Sequence, residues 1–200
     1  AKVIQDPRIR GVSLTGSARA GREIGSLAAK SLKKTVLELG GSDAYLVFQD
    51  ADIEKAAKIC ATARMTNNGQ SCVAAKRFIV DRKVKENFLS SFAGHIASLK
   101  RGDPLSKETK VGSLAHKKFQ TQLLDQCKKL EKEGAKKILD LSETQSDFGI
   151  DQGAFFPARV YEVSKDSKLI EQEEFFGPVA LVVESSNDEE AVQMANNCVY

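Results

Sequence analysis

The chain has 200 residues, 42% hydrophobic and 28% charged, and its 30 basic and 27 acidic side chains nearly cancel to a formal net charge of +3. That is the make-up of a globular chain long enough for one domain, or one domain with part of another, and it excludes wholesale disorder. No window approaches the ~18 apolar residues of a membrane span and no apolar signal region opens the chain, so a cytoplasmic location, or an organelle matrix, with no membrane partner is expected.

In chain order, residues 11–14 (Gly-Val-Ser-Leu) read as a short strand that runs into Thr15-Gly16-Ser17-Ala18-Arg19-Ala20-Gly21. A helix follows over 22–33, with Ile24, Leu27, Ala28 and Leu32 at helical spacing. Strand, glycine turn and helix start form an anion-binding arrangement, because the free amides of a first helical turn and the helix dipole favour a phosphate. The turn is neither GxGxxG nor the GK[ST] ending of a P-loop, and a plain strand-to-helix turn fits it as well. Strands at 35–37 and 44–48 bracket Glu38-Leu39-Gly40-Gly41-Ser42. A carboxylate at a strand end, just before paired glycines, sits where side chains project into a cleft, which makes Glu38 a candidate base. A surface glutamate in a turn is the alternative.

Residues 51–65 read as a helix with Ile53, Ala56, Ala57 and Ile59 on one stripe, and 77–80 (Arg-Phe-Ile-Val) as a strand. Between them lies the polar loop Asn67-Asn68-Gly69-Gln70-Ser71-Cys72-Val73-Ala74-Ala75-Lys76. A nucleophile belongs in such a place, but the reactive form of cysteine is the thiolate, so a catalytic Cys72 needs help from loop amides or a base. An inert loop cysteine remains the competing reading. Cys60, Cys127 and Cys198 read as ordinary helix residues, and with no CxxC pair and no histidine at ligand spacing neither a metal site nor a disulfide framework is expected.

Residues 84–100 read as an amphipathic helix with Phe88, Leu89, Phe92, Ile96 and Leu99 inward, 109–114 as a loop, and 117–133 as a helix ending at Gly134. The basic run over 128–137 is broken by Glu131 and Glu133 and carries no aromatic, so it reads as a solvated face and no nucleic-acid partner is expected. A strand over 135–139, an exposed excursion over 142–153 and a strand pair within 155–161 follow. His95 and His116 receive no role. In Glu174-Phe175-Phe176-Gly177-Pro178-Val179 the glycine permits a bend and the proline fixes φ, giving a rigid aromatic turn before a strand at 180–183 and a helix over 187–197. Helices alternating with strands predict an α/β fold with a largely parallel sheet from 44–48, 77–80 and 180–183, flanked by helices.

Four stretches in this order, Leu14-Thr15-Gly16-Ser17 with Gly21, Leu37-Glu38-Leu39-Gly40-Gly41, Asn68-Gly69-Gln70-Ser71-Cys72 and Glu174-Phe175-Phe176-Gly177-Pro178-Val179, resemble the aldehyde dehydrogenase superfamily over nearly the whole chain. The interval of 34 positions from Glu38 to Cys72 is similar too, and Ala74-Ala75-Lys76-Arg77-Phe78 resembles the succinate-semialdehyde dehydrogenase branch. The resemblance implies NAD(P)-dependent oxidation of an aldehyde, with NAD or NADP as cofactor and a small aldehyde such as succinate semialdehyde as substrate. It implies Cys72 as nucleophile, Glu38 as base, and Gly16, Ser17, Gly21, Leu39, Glu174 and Phe176 as cofactor contacts. It further implies that residues 1–37 are the last part of a Rossmann-like dinucleotide-binding domain and 38–200 a truncated catalytic domain. The parent would be a homo-oligomer, and the chain alone a fragment with little activity. A strand at 11–14 robbed of its sheet would then be disordered or paired with another chain. A non-catalytic binding or assembly domain of the same fold stands as the alternative. A cysteine hydrolase lacks a placed histidine.

Overall fold

The computed structural model describes residues 1–142 and 153–200. It divides into two compact units, Ala1–Gly41 and Ser42–Tyr200. The first holds the short helix α1 (Lys2–Gln5), strand β1 (Gly11–Thr15), helix α2 (Ala18–Lys30) and strand β2 (Lys34–Glu38). β1 and β2 pair in parallel, with Leu14 opposite Leu37 and Thr15 opposite Glu38. The expectation that the first strand is disordered or needs another chain is therefore wrong. The helix between the two strands is a crossover of the length parallel pairing requires, so the segment supplies its own partner. α2 ends three residues before the predicted 33: Leu32, placed on the apolar stripe from its spacing, has φ 51 and is 97% exposed. A left-handed residue at that point turns the chain out of the helix, and the Lys33 amide bonds back to Ala28 O at 3.0 Å.

The second unit runs β3 (Ala44–Val47), α3 (Ile53–Met65), β4 (Arg77–Asp81), α4 (Lys85–Ala97), α5 (Lys117–Lys132), β5 (Lys136–Asp140), β6 (Arg159–Val163), α6 (Leu169–Gln172), β7 (Val179–Ser185) and α7 (Asp188–Asn196). Its sheet has the order β3-β4-β7-β6-β5, parallel except for the antiparallel edge pair β5 and β6. The central strands carry unbroken apolar runs, 78–80 in β4 and 179–183 in β7, because both faces are covered. Along β4, Phe78 and Val80 enter one core with Phe88, Phe92 and Ala57, while Ile79 enters the other with Leu123, Phe175 and Tyr161. Adjacent positions thus serve opposite faces, as the two-residue period of a strand requires. In the first core the Phe78 and Phe92 ring centroids lie 4.8 Å apart and Phe88 stacks on Phe92 at 5.2 Å.

Three local details depart from expectation. Ile59, assigned to the buried stripe of α3, is 51% exposed, and the stripe is instead Ala57, Cys60, Ala61 and Arg64. Small residues let α3 approach α4 closely, and the larger isoleucine falls on the outer side. The strand pair read within 155–161 is one strand beginning at Arg159, since Pro157 has no N–H for a ladder. Cys198 lies beyond α7 rather than within a helix. Residues 143–152 of the predicted excursion lie outside the described residues. Among the described residues, no helix is long and apolar enough to cross a membrane.

Candidate active site

In the first unit the candidate residues gather where β1 and β2 end. The Gly16 amide donates to Glu38 O at 2.9 Å, tying the turn after β1 to the end of its neighbour. Ser17 is the N-cap of α2, its hydroxyl accepting from the Ala20 amide at 3.3 Å. Such a cap is worth ~1 kcal/mol and satisfies one orphan donor of the helix start. No acidic side chain occupies the first turn of α2, and Gly16 and Ser17 are exposed. Gly21 is needed for close packing: a Cβ there would lie 2.7 Å from Leu39 Cδ2. Glu38 is exposed at the last position of β2.

In the second unit α3 hands over to a 3-10 turn, Thr66–Gly69, in which Asn67, Asn68 and Gly69 have φ of 49, 56 and 74. Three consecutive left-handed residues reverse the chain sharply, and asparagine and glycine are the types that tolerate this. The side chain of Asn68 then fastens the reversal to a neighbouring loop, accepting from the Gly112 amide at 2.8 Å and donating to Ser113 O at 3.1 Å. Gln70 Oε1 accepts from the Ala115 amide at 2.8 Å. Gly69 lies against Gly177 of the aromatic turn so tightly that a Cβ would come within 2.2 Å of Gly177 O. The cysteine loop and the Glu-Phe-Phe-Gly-Pro turn, distant in sequence, are thereby one packed object.

Two buried cations hold that object together. Lys76, whose side chain is fully buried, donates from Nζ to Ser71 O at 3.0 Å, Cys72 O at 2.9 Å and Ala74 O at 3.0 Å. Its ammonium also lies 3.4 Å from Glu174 Oε1. Arg64 donates to Gly69 O at 2.6 Å, while its Nε and Nη1 have no hydrogen-bond partner among the described residues. Burial pushes the pKa of both groups down, that of Arg64 to about 9, and the Glu174 carboxylate opposes the shift in each case. Buried charge is tolerated only where it is paired and hydrogen-bonded. Here one carboxylate and three loop carbonyls do that for Lys76, while Arg64 has the Gly69 carbonyl and the charge of the same carboxylate.

Cys72 is half-buried in this loop, with Val73 beside it 69% exposed. Among the other thiols, Cys60 and Cys127 are buried, and burial pushes Cys60 up to about 12 and raises Cys127. Phe176 packs on Phe119 with ring centroids 6.4 Å apart. The structure thus brings Cys72, Glu174 and Phe176 into one unit, and gathers Gly16, Ser17, Gly21, Glu38 and Leu39 in the other. Sequence reading missed Arg64, Lys76, Asn68 and Gln70. A signal existed for Arg64, which continues the Ala57, Cys60, Ala61 stripe of α3 at helical spacing. His95 pairs with Glu54 on the surface at 2.7 Å, and His116 caps α5 through Nδ1.

A half-buried thiol in a rigid loop of a mostly parallel α/β unit, next to a buried cation-carboxylate pair, defines a thiol-bearing α/β protein. The sequence profile of the aldehyde dehydrogenase family matches residues 1–200, and the chain belongs to that family. It is 40% identical over 199 residues to succinate-semialdehyde dehydrogenase [NADP(+)] 1 of Mycobacterium tuberculosis (strain ATCC 25618 / H37Rv), covering 99% of this chain and 42% of the relative. Over 200 residues it is 38% identical to succinate semialdehyde dehydrogenase [NAD(P)+] Sad of Escherichia coli (strain K12), covering 100% of this chain and 42% of that protein. The crystal structure of succinic semialdehyde dehydrogenase from Streptococcus pyogenes in complex with NADP+ superposes with a TM-score of 0.91 at 35% identity, over 100% of this chain and 43% of that one. The chain therefore spans about two fifths of the length of these relatives.

Proposed function

We propose that the protein to which this chain belongs, at the length of its relatives, oxidises a small aldehyde of the succinate-semialdehyde type to the carboxylic acid, using NAD or NADP. What carries the reading is the packing of the Cys72 loop against the turn that bears Glu174, which sets a thiol and a carboxylate in one rigid frame. An aldehyde has no leaving group, so Cys72 first adds to the carbonyl to give a thiohemiacetal carbon able to lose hydride. The oxyanion of that adduct needs donors, and the Cys72 amide is one. Glu38 acts as general base, taking a proton from the water that cleaves the resulting thioester.

Within each unit the residues suit part of a nicotinamide cofactor. Gly16 and Ser17 offer an exposed helix start with no competing acid, suited to the diphosphate. Gly21 keeps α2 against Leu39, whose backbone would meet the carboxamide, while Glu174 would accept from the nicotinamide ribose and Phe176 pack beside it. When bound, the cofactor supplies the hydride acceptor. We also read the first unit as part of the dinucleotide-binding domain, the location as cytoplasmic and the parent as a homo-oligomer.

In the full-length protein, Cys72→Ala should lower aldehyde oxidation by on the order of 10³-fold or more. Glu38→Gln should keep a stopped-flow burst of reduced cofactor while slowing the steady state by ~10²-fold, because the base is needed only after the hydride has left. Undiminished turnover by Cys72→Ala would remove the nucleophile, and no aldehyde oxidation by the full-length wild type would leave the binding-domain alternative.

A further inference from the structure

Lys76 has four acceptors and three N–H groups. Three of the acceptors are carbonyls of the cysteine loop, Ser71 O, Cys72 O and Ala74 O, and the fourth is the Glu174 carboxylate from the distant aromatic turn. The two ends of this link differ in access. The Lys76 side chain is 0% exposed and touches no solvent, whereas that of Glu174 is 16% exposed. Whatever Glu174 binds can therefore be felt by the loop through the ammonium, while the lysine itself never meets the ligand.

We propose that Lys76 is a positioning residue that couples the Glu174 carboxylate to the Cys72 loop, so that the state of Glu174 sets how firmly the nucleophile is held. The inference rests on the reading of Cys72 and Glu174 given above and deepens it. Burial disfavours the charged form of Lys76 and the Glu174 charge favours it, with Arg64 acting against it from the other side. Withdrawing the Glu174 charge tips the lysine toward the neutral amine. A neutral amine has two N–H groups for three carbonyls, so one loop carbonyl is released and the loop loosens. One of those carbonyls is that of Cys72 itself, so the thiol loses its fixed presentation at the same step and reacts more slowly.

The test is a double-mutant cycle in the full-length protein, read as the rate of Cys72 alkylation by iodoacetamide at fixed pH with peptide mapping, and with Cys198 as internal reference. Lys76→Met should slow Cys72 labelling by ~10-fold and Glu174→Gln by ~3-fold, with Cys198 unchanged. Because the glutamate acts through the lysine, the double variant should label no more slowly than Lys76→Met alone. Multiplying effects in the double variant, or wild-type labelling in Lys76→Met, overturns the coupling. Should Lys76→Met not fold, hydrogen exchange in Glu174→Gln decides: amides of residues 71–76 should exchange faster than in the wild type, and unchanged exchange overturns the proposal. The readouts need no turnover. A failure of the oxidation chemistry, seen as an active Cys72→Ala, is thus distinct from a failure of the link.

Discussion

The two loops that carry the candidate chemistry are held in opposite ways. The turn Thr15-Gly16-Ser17 is shaped by its immediate neighbours in sequence: a strand ends, one amide reaches the next strand, and a serine caps the helix that follows. Its residues are exposed, and a Cβ on Gly16 would meet nothing closer than 4.0 Å. The Cys72 loop is shaped from outside. Lys76 sits beneath it, Asn68 and Gln70 tie it to residues 112–115, and Gly69 abuts Gly177. A site that only cradles a diphosphate needs accessible amides, whereas one that presents a nucleophile to a carbonyl needs sub-ångström placement, which over-determined loops provide.

That contrast is sharpest at the glycines. Gly69→Ala places a methyl 2.2 Å from the Gly177 carbonyl oxygen at a residue with φ 74, so neither rotation nor a side-chain shift relieves it. We expect a loss of at least ~3 kcal/mol in urea unfolding, together with loss of selective Cys72 labelling. A variant as stable as the wild type would show that the loop is not locked against the aromatic turn. A smaller effect is expected at the other loop. Ser17→Ala removes a cap bond of 3.3 Å on an exposed helix start, and should cost ~1 kcal/mol with faster hydrogen exchange confined to the first turn of α2. Exchange spreading into the rest of that unit would mean the turn is less local than its contacts indicate.

The same contrast explains what could be read in advance. The β1 turn, the ends of α5 and the apolar runs of the central strands follow from periodicity, capping and turn chemistry, which are properties of neighbouring residues. The candidate stretches of the second unit stood out as well, Cys72 from its polar glycine loop and Glu174 from the resemblance of its motif to a known family. Their support did not. Lys76 bonds backbone carbonyls, which leave no mark on residue type, and its charge partner lies in another motif. The exposure of Ile59 and Leu32 was hidden for a related reason. Hydrophobic spacing names a face, but which residues of it are covered depends on how closely the facing element approaches and where the helix stops.

The smallest effect on stability should come from Gly16→Ala, and it is the most useful for separating architecture from ligand binding. Gly16 is not among the glycines of positive φ, and the nearest atoms to an added methyl, Ala20 Cβ and Leu14 Cδ1, lie at 4.0 Å. Folding therefore asks nothing of glycine at this position, and the substitution should shift urea unfolding by less than ~0.5 kcal/mol. A diphosphate held by the amides of the helix start asks more, since a methyl on an exposed turn obstructs the approach of a ligand to the backbone. In the full-length protein, Gly16→Ala should weaken NAD(P) binding, measured by titration, by ~10-fold or more while Cys72 labelling stays at the wild-type rate. Unchanged cofactor affinity would take the diphosphate away from this turn, and lost stability would show that the glycine serves the fold after all.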